Sequence, residues 1–142
     1  MRVKIKKLDL NAILPTYGSE FSAGADLYSI DDVEIEAGKT VYVHTGISME
    51  IPIGYGGFIY ARSGLATKRG LAPANKVGVV DSDYRGEIMV ALFNQSGEKQ
   101  SIERGERIAQ IVIAPYIKAD FEECDELTDT DRGSGGFGST GK

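Results

Sequence analysis

Apolar positions along the chain fall in short runs, many alternating at every second residue and broken by Gly, Pro and Asp, and no stretch carries the spacing of a long amphipathic helix. Val3, Ile5 and Leu8 start a strand near the N-terminus, and Val33 and Ile35 alternate before EAGK (36–39) turns the chain. Residues 40–51 alternate through Val41, Val43 and Ile47 and end at Pro52; Phe58 and Tyr60 continue after IPIGYGG. Residues 77–80 and 87–93 flank SDYRG, which reads as a hairpin loop. RIAQIVIA (107–114) is apolar on both faces, the pattern of a strand buried on both sides; in so small a domain it suggests a subunit interface. Strands at this spacing predict an all-β sandwich or barrel. One short helix is expected, with Ser63 as N-cap for GLATKR and Gly70 ending it. Its start, with Arg62 just before it, is either an anion site built on the N–H groups near Ser63 and Gly64 or a plain capped surface helix with Lys68 and Arg69 solvated.

At 142 residues the chain is one domain by size, with 42% hydrophobic and 26% charged residues, ordinary for a soluble globule. A net charge of −5 disfavours duplex DNA or RNA as a partner, since phosphate neutralisation needs a basic surface. It leaves room for a nucleotide held by local Arg and Lys with a divalent metal. Cys124 is the only cysteine and has no disulfide partner. MRVKIKKLDL lacks a signal-peptide apolar stretch and no run approaches a membrane span, so a cytoplasmic protein with no membrane partner is expected.

The segment GVVDSDYRGE (78–87) packs three acids, a Tyr and an Arg into a turn. Turns carry Asp and Gly for backbone reasons alone. Asp81, however, directly follows Val79 and Val80, where a strand ends. A carboxylate held there by rigid neighbours can activate a water as general base. The terminal GFGSTGK has the spacing of a P-loop but no following Ser or Thr and helix, so that reading is set aside. DRGSGGFGSTGK (131–142) reads instead as an arm: it carries Phe137, which a plain polar tail has no use for, and hydroxyls at Ser139 and Thr140 suited to phosphate oxygens. His44 is expected to be a strand residue, Cys124 to be inert, and Glu122, Glu123, Asp125 and Glu126 to form a solvated acidic run.

Five segments taken together, AGADLYS (23–29), ARSGLATKRG (61–70), NKVGVVDSDYRGE (75–87), RGERIAQ (104–110) and RGSGGFGSTG (132–141), resemble the five ordered motifs of the trimeric deoxyuridine triphosphatases. The resemblance implies an all-β, jelly-roll-like β-barrel with one short helix over residues 1–130 and a flexible C-terminal arm over 131–142. It implies a homotrimer with active sites shared between subunits. It also implies cleavage of dUTP to dUMP and pyrophosphate with Mg²⁺, which lowers dUTP and supplies dUMP for thymidylate synthesis.

Residue by residue, Asp81 matches the carboxylate that deprotonates the attacking water. Arg62, Ser63, Gly64 and Gln110 match phosphate-holding positions, and Asp26 matches an acid near the metal that acts through water. Asn75, Val79, Val80 and Met89 match the uracil slot, where main-chain groups read the pyrimidine edge, and Tyr84 matches the ring that packs under deoxyribose and excludes a 2′-hydroxyl. Phe137 matches the arm residue that stacks over the base; Arg132, Gly138, Ser139 and Thr140 match the arm's phosphate contacts. Two other functions are weighed: a dCTP deaminase on a related fold, which needs a catalytic Glu and a different turn in place of DSDY, and a non-catalytic nucleotide-binding interaction module.

Overall fold

β-branched and aromatic residues alternating with polar ones build twelve strands and one helix over the described residues, 1–136, of a computed structural model. In chain order these are β1 (Lys4–Lys7), β2 (Thr16–Tyr17), β3 (Ala25–Tyr28), β4 (Val33–Ile35), β5 (Thr40–His44), β6 (Ile47–Glu50) and β7 (Tyr55–Tyr60). Helix α1 (Ser63–Arg69) follows, then β8 (Leu71–Pro73), β9 (Gly78–Val80), β10 (Met89–Asn94), β11 (Gln100–Ile102) and β12 (Arg107–Pro115). The largest sheet has the order β2-β3-β12-β7-β9, a second has β5-β10-β8, and β1-β6 and β11-β4 pair separately. Every pairing is antiparallel. The all-β, jelly-roll-like fold with one short helix is as the sequence implied, although the sheets are not closed into a continuous barrel.

Inward residues of these strands make one core, with Leu27, Ile35, Val43, Leu92, Ile102 and Ile108 almost wholly buried. Asn94 is buried with them and stays satisfied: its Nδ2 donates to Ile35 O and Glu98 O, and its Oδ1 accepts from Ser96. In β12, Ile108, Ala109 and Ile111 are buried and the later apolar residues only half-buried. The strand expected to be covered on both sides is thus well covered only over its first half in the single chain.

Three local expectations change. Residues 40–51 form two strands, because the chain crosses from one sheet to another at Gly46: β5 pairs with β10, and β6 with β1. Gly46 sits at φ 66°, and a Cβ there would lie 3.0 Å from the Asp9 Cβ and 3.1 Å from the Ala12 Cβ. Gly46→Ala should therefore lower stability by roughly 2 kcal/mol or more, read as a fall in Tm of about 5 °C or more. An unchanged Tm would show the junction to be soft. The 77–93 region is not a hairpin: β9 pairs with β7 and β10 with β5 and β8. The intervening segment exceeds hairpin-loop length, and its end is drawn to the β5–β6 junction by the Ile88 N–H, which donates to Ile47 O at 2.8 Å. Finally, the N-cap of α1 is Arg62 rather than Ser63, with no side-chain cap, while Gly70 ends the helix in the left-handed region as expected.

After Pro115 the described residues hold no further regular strand or helix, and residues 116–130 are exposed. Among the described residues no helix is long and apolar enough to cross a membrane.

Candidate active site

Because β9 and β10 part company, a cleft of about 250 Å³ opens between them. Its lining includes Asn75, Val79, Val80, Asp81, Tyr84 and Met89, six of the seven residues expected at the base, sugar and attacking water. β9 pairs only with β7, so its other edge is free; β10 meets β8 only from Leu92 onward, so the edge of its first half is free apart from Ala91 O, which accepts the Ala74 N–H. Two unpaired main-chain edges therefore face the cleft, with donors and acceptors fixed by the ladders behind them. Asp81 stands at the end of β9. Its carboxylate makes no hydrogen bond or ion pair among the described residues, although its carbonyl accepts the Tyr84 N–H at 3.2 Å. Asp83, two residues on, does not line the cleft.

A second cavity, of about 580 Å³, gathers Asp26, Arg62, Ser63, Gly64 and Gln110, the positions expected around phosphate and metal. Register explains the grouping: on β12, Gln110 lies opposite Asp26 of β3 on one side and Tyr60 of β7 on the other, and Arg62 follows just beyond β7. A bulge between Arg107 and Ala109 turns Arg107 to the same cavity as Gln110, which a regular two-residue alternation would forbid. Asp26 is buried and receives both arginines, Arg62 Nε at 2.7 Å and Arg107 Nη1 at 3.3 Å. The Nε bond to Asp26, with Nη1 donating to Arg107 O at 3.4 Å, aims the rest of the Arg62 guanidinium. Gln110 Nε2 donates to Ala61 O at 2.9 Å, and Gly24 leaves the space its side chain fills.

The two cavities share no lining residue. Ile59 lines the first and Tyr60 the second, and consecutive strand residues point to opposite faces of a sheet. Within a single chain the two cavities are therefore separate, the first at the free β9 edge of the largest sheet and the second over β3, β12 and the end of β7. Arg132 joins neither cavity; its Nε donates to Gly135 O at 2.8 Å in a local turn. Phe137, Gly138, Ser139 and Thr140 lie outside the described residues. Sequence reasoning gave no role to Arg107, whose visible signal was its place in RGERIAQ three residues before Gln110, nor to Tyr42 and Glu87, which also line the cleft.

His44, at the end of β5, has Nδ1 2.9 Å from Glu87 Oε2. That hydrogen bond, against a smaller loss from burial, raises its pKa above its ordinary 6.5. Protonated His44 therefore stabilises the fold fully below pH 6.5, and this contribution fades as pH rises through the raised value. The ring is 47% exposed, so the effect is small. The Tm advantage of wild type over His44→Gln should shrink by about 1–2 °C across that window; an advantage that grows with pH would reverse the assignment.

The chain matches the dUTPase family model over residues 10–141. It is 52% identical over 142 residues to the deoxyuridine 5′-triphosphate nucleotidohydrolase of Nautilia profundicola, covering 100% of both chains. It is 49% identical to the protein of that name from Hydrogenobaculum sp., covering 99% of each. Among solved structures it superposes on the Staphylococcus bacteriophage 80alpha dUTPase with dUPNHPP at a TM-score of 0.93, with 27% identity and 99% of each chain covered.

Proposed function

The chain belongs to the dUTPase family, and from that premise we infer that it is a dUTP diphosphatase, hydrolysing dUTP to dUMP and pyrophosphate. The observation that carries the mechanism is the cleft between β9 and β10, with two free main-chain edges along its walls and, at its end, a carboxylate without a partner among the described residues. Incubation with dUTP and Mg²⁺ should release dUMP and pyrophosphate in equal amounts. Ammonia without pyrophosphate would instead indicate deamination of a cytosine nucleotide, to be tested with dCTP, and binding without turnover a non-catalytic module.

In the proposed reaction Asp81 takes a proton from a water, and the water oxygen attacks the α-phosphorus in line. The new bond joins that oxygen to phosphorus, the bond to the bridging α–β oxygen breaks, and pyrophosphate leaves with the electron pair. Asp81 suits this task because nothing among the described residues competes for its oxygens, whereas Asp26 is committed to two arginines. Arg62, Ser63, Gly64 and Gln110 bind and orient the phosphates. Arg62 enters that role already aimed, so little ordering is left to do when the charge on the leaving group grows.

The family implies Mg²⁺. Among the described residues no group of three or more His, Cys, Asp or Glu could cage a metal. The Asp26 carboxylate meets arginines with both oxygens, an arrangement that suits contact with an ion through water. This donor set fits Mg²⁺, which keeps several waters and binds phosphate oxygens directly. When bound, the ion would neutralise phosphate charge and polarise the α-phosphorus.

Base selection follows from the free edges of β9 and β10. Uracil offers an N3–H donor and an O4 acceptor, which cytosine reverses, and fixed buried main-chain partners reject the reversed set because their own groups go unpaired. Asn75, Val79, Val80 and Met89 shape that slot, and Tyr84 packs against the deoxyribose. Since the two cavities share no lining residue within one chain, we propose that each complete site joins the base side of one protomer to the phosphate side of another in a homotrimer. Almost fully exposed Leu10, Phe21, Ile117 and Phe121 supply apolar surface for such contacts. The arm, 131–142, is proposed to close a site through Arg132, Phe137, Gly138, Ser139 and Thr140, with residues 1–130 as the domain it extends. A cytoplasmic location suits this substrate.

A further inference from the structure

Tyr84 stands on a loop whose far end is fastened to another sheet by one side chain. Glu87 Oε1 accepts the Gly46 N–H at 2.8 Å, and Oε2 lies 2.9 Å from His44 Nδ1. The neighbouring Ile88 reinforces this anchor: its N–H donates to Ile47 O, and its carbonyl accepts the buried Thr45 hydroxyl. Meanwhile the Tyr84 hydroxyl donates to the Glu87 main-chain carbonyl at 3.0 Å. The ring folds back over Gly86, where any Cβ would collide with the tyrosine ring and its hydroxyl oxygen. The place of Tyr84 in the cleft is thus set by where Glu87 sits, and Glu87 sits where Gly46 and His44 hold it. Gly46 is itself fixed by its positive φ and crowded surroundings, so its N–H is a rigid, buried donor.

We propose that Glu87 is a positioning residue for sugar selectivity: its carboxylate pins the 81–88 loop to the β5–β6 junction and thereby holds Tyr84 against the nucleotide sugar. This rests on the reading that Tyr84 packs under deoxyribose. Asp81 opens the same loop but is positioned from the β9 end, by pairing with β7. Selectivity should therefore suffer more than the chemical step when Glu87 is lost.

The test is the ratio of kcat/KM for dUTP to that for UTP in the full-length chain. Glu87→Ala should lower this ratio about tenfold, with kcat for dUTP changed less than the ratio. Glu87→Gln keeps an acceptor for the Gly46 N–H and should return the ratio to within about threefold of wild type. The Tyr84→Ala and Glu87→Ala changes combined should be no worse than Tyr84→Ala alone, since both act through one ring. If Glu87→Ala does not fold, Glu87→Asp replaces it: too short to reach both partners from the same backbone, it should cost about threefold. An unaltered ratio in the Glu87 variants while Tyr84→Ala loses selectivity would overturn the proposal. So would multiplicative losses in the double variant, or no recovery with Gln. An unaltered ratio in Tyr84→Ala is a different result: it removes the sugar-packing reading, and this proposal with it.

Discussion

Asp81→Asn is expected to leave dUTP binding intact and to reduce kcat by about 10³-fold, within the range for loss of a general base. The substitution keeps the shape of the side chain and removes its capacity to accept a proton at neutral pH. Because the Asp81 carboxylate has no partner among the described residues, its replacement breaks no internal contact, and Tm should stay within about 1 °C of wild type. Binding is best followed by calorimetry with an α,β-imido analogue of dUTP, and turnover by pyrophosphate release. Asn retains a carbonyl oxygen that can still orient the water, which is why a residual rate is expected. A kcat within tenfold of wild type would remove Asp81 as the base, and Asp83, absent from the cleft lining, would not be an obvious successor.

The second large effect is a rescue. In the proposed site Asp81→Asn would disable the cleft beside β9, and Arg62→Gln would disable the separate cavity around Gln110. If each working site takes one side from each of two protomers, co-expressed chains carrying the two changes should assemble some sites with neither defect. For random mixing in a closed ring, about a quarter of sites are intact, so activity should recover to about a quarter of wild type from two nearly inactive parents. Arg107 still pairs with Asp26 in the Arg62→Gln chain, so the buried carboxylate keeps one cation and the fold should persist. No recovery from a mixed assembly verified by mass would mean that each site is built within a single chain.

The residues expected at the site occur in fixed local segments, and those segments bring most of them to the lining of two cavities. Strand existence was legible from alternation, as at residues 33–35 and 58–60, although β7 begins at Tyr55, inside the stretch read as a turn. What escaped was non-local. The break at Gly46 depends on crowding by Asp9, Ala12 and Ile30, remote in sequence, so residues 40–51 read as one strand. The parting of β9 from β10 depends on which sheets claim them, and alternation does not encode that. The place of Arg107 in the second cavity depends on a bulge that shifts its facing, invisible in a string that otherwise reads as regular β. Ser63 was displaced from the cap by one position because the hydroxyl preference is a weak local signal, and Arg62 is held instead by its distant partner Asp26.

The open edges of β9 and β10 carry an evolutionary consequence. In the proposed site a pyrimidine lodged between them would stand in for a missing rung of a ladder, and the alphabet it would meet belongs to the peptide bond. Exchanging Val79 or Val80 for another residue that preserves the strand leaves those letters unchanged. Drift at these positions can loosen the grip on the base, but a switch of preference from uracil to cytosine requires moving the backbone itself.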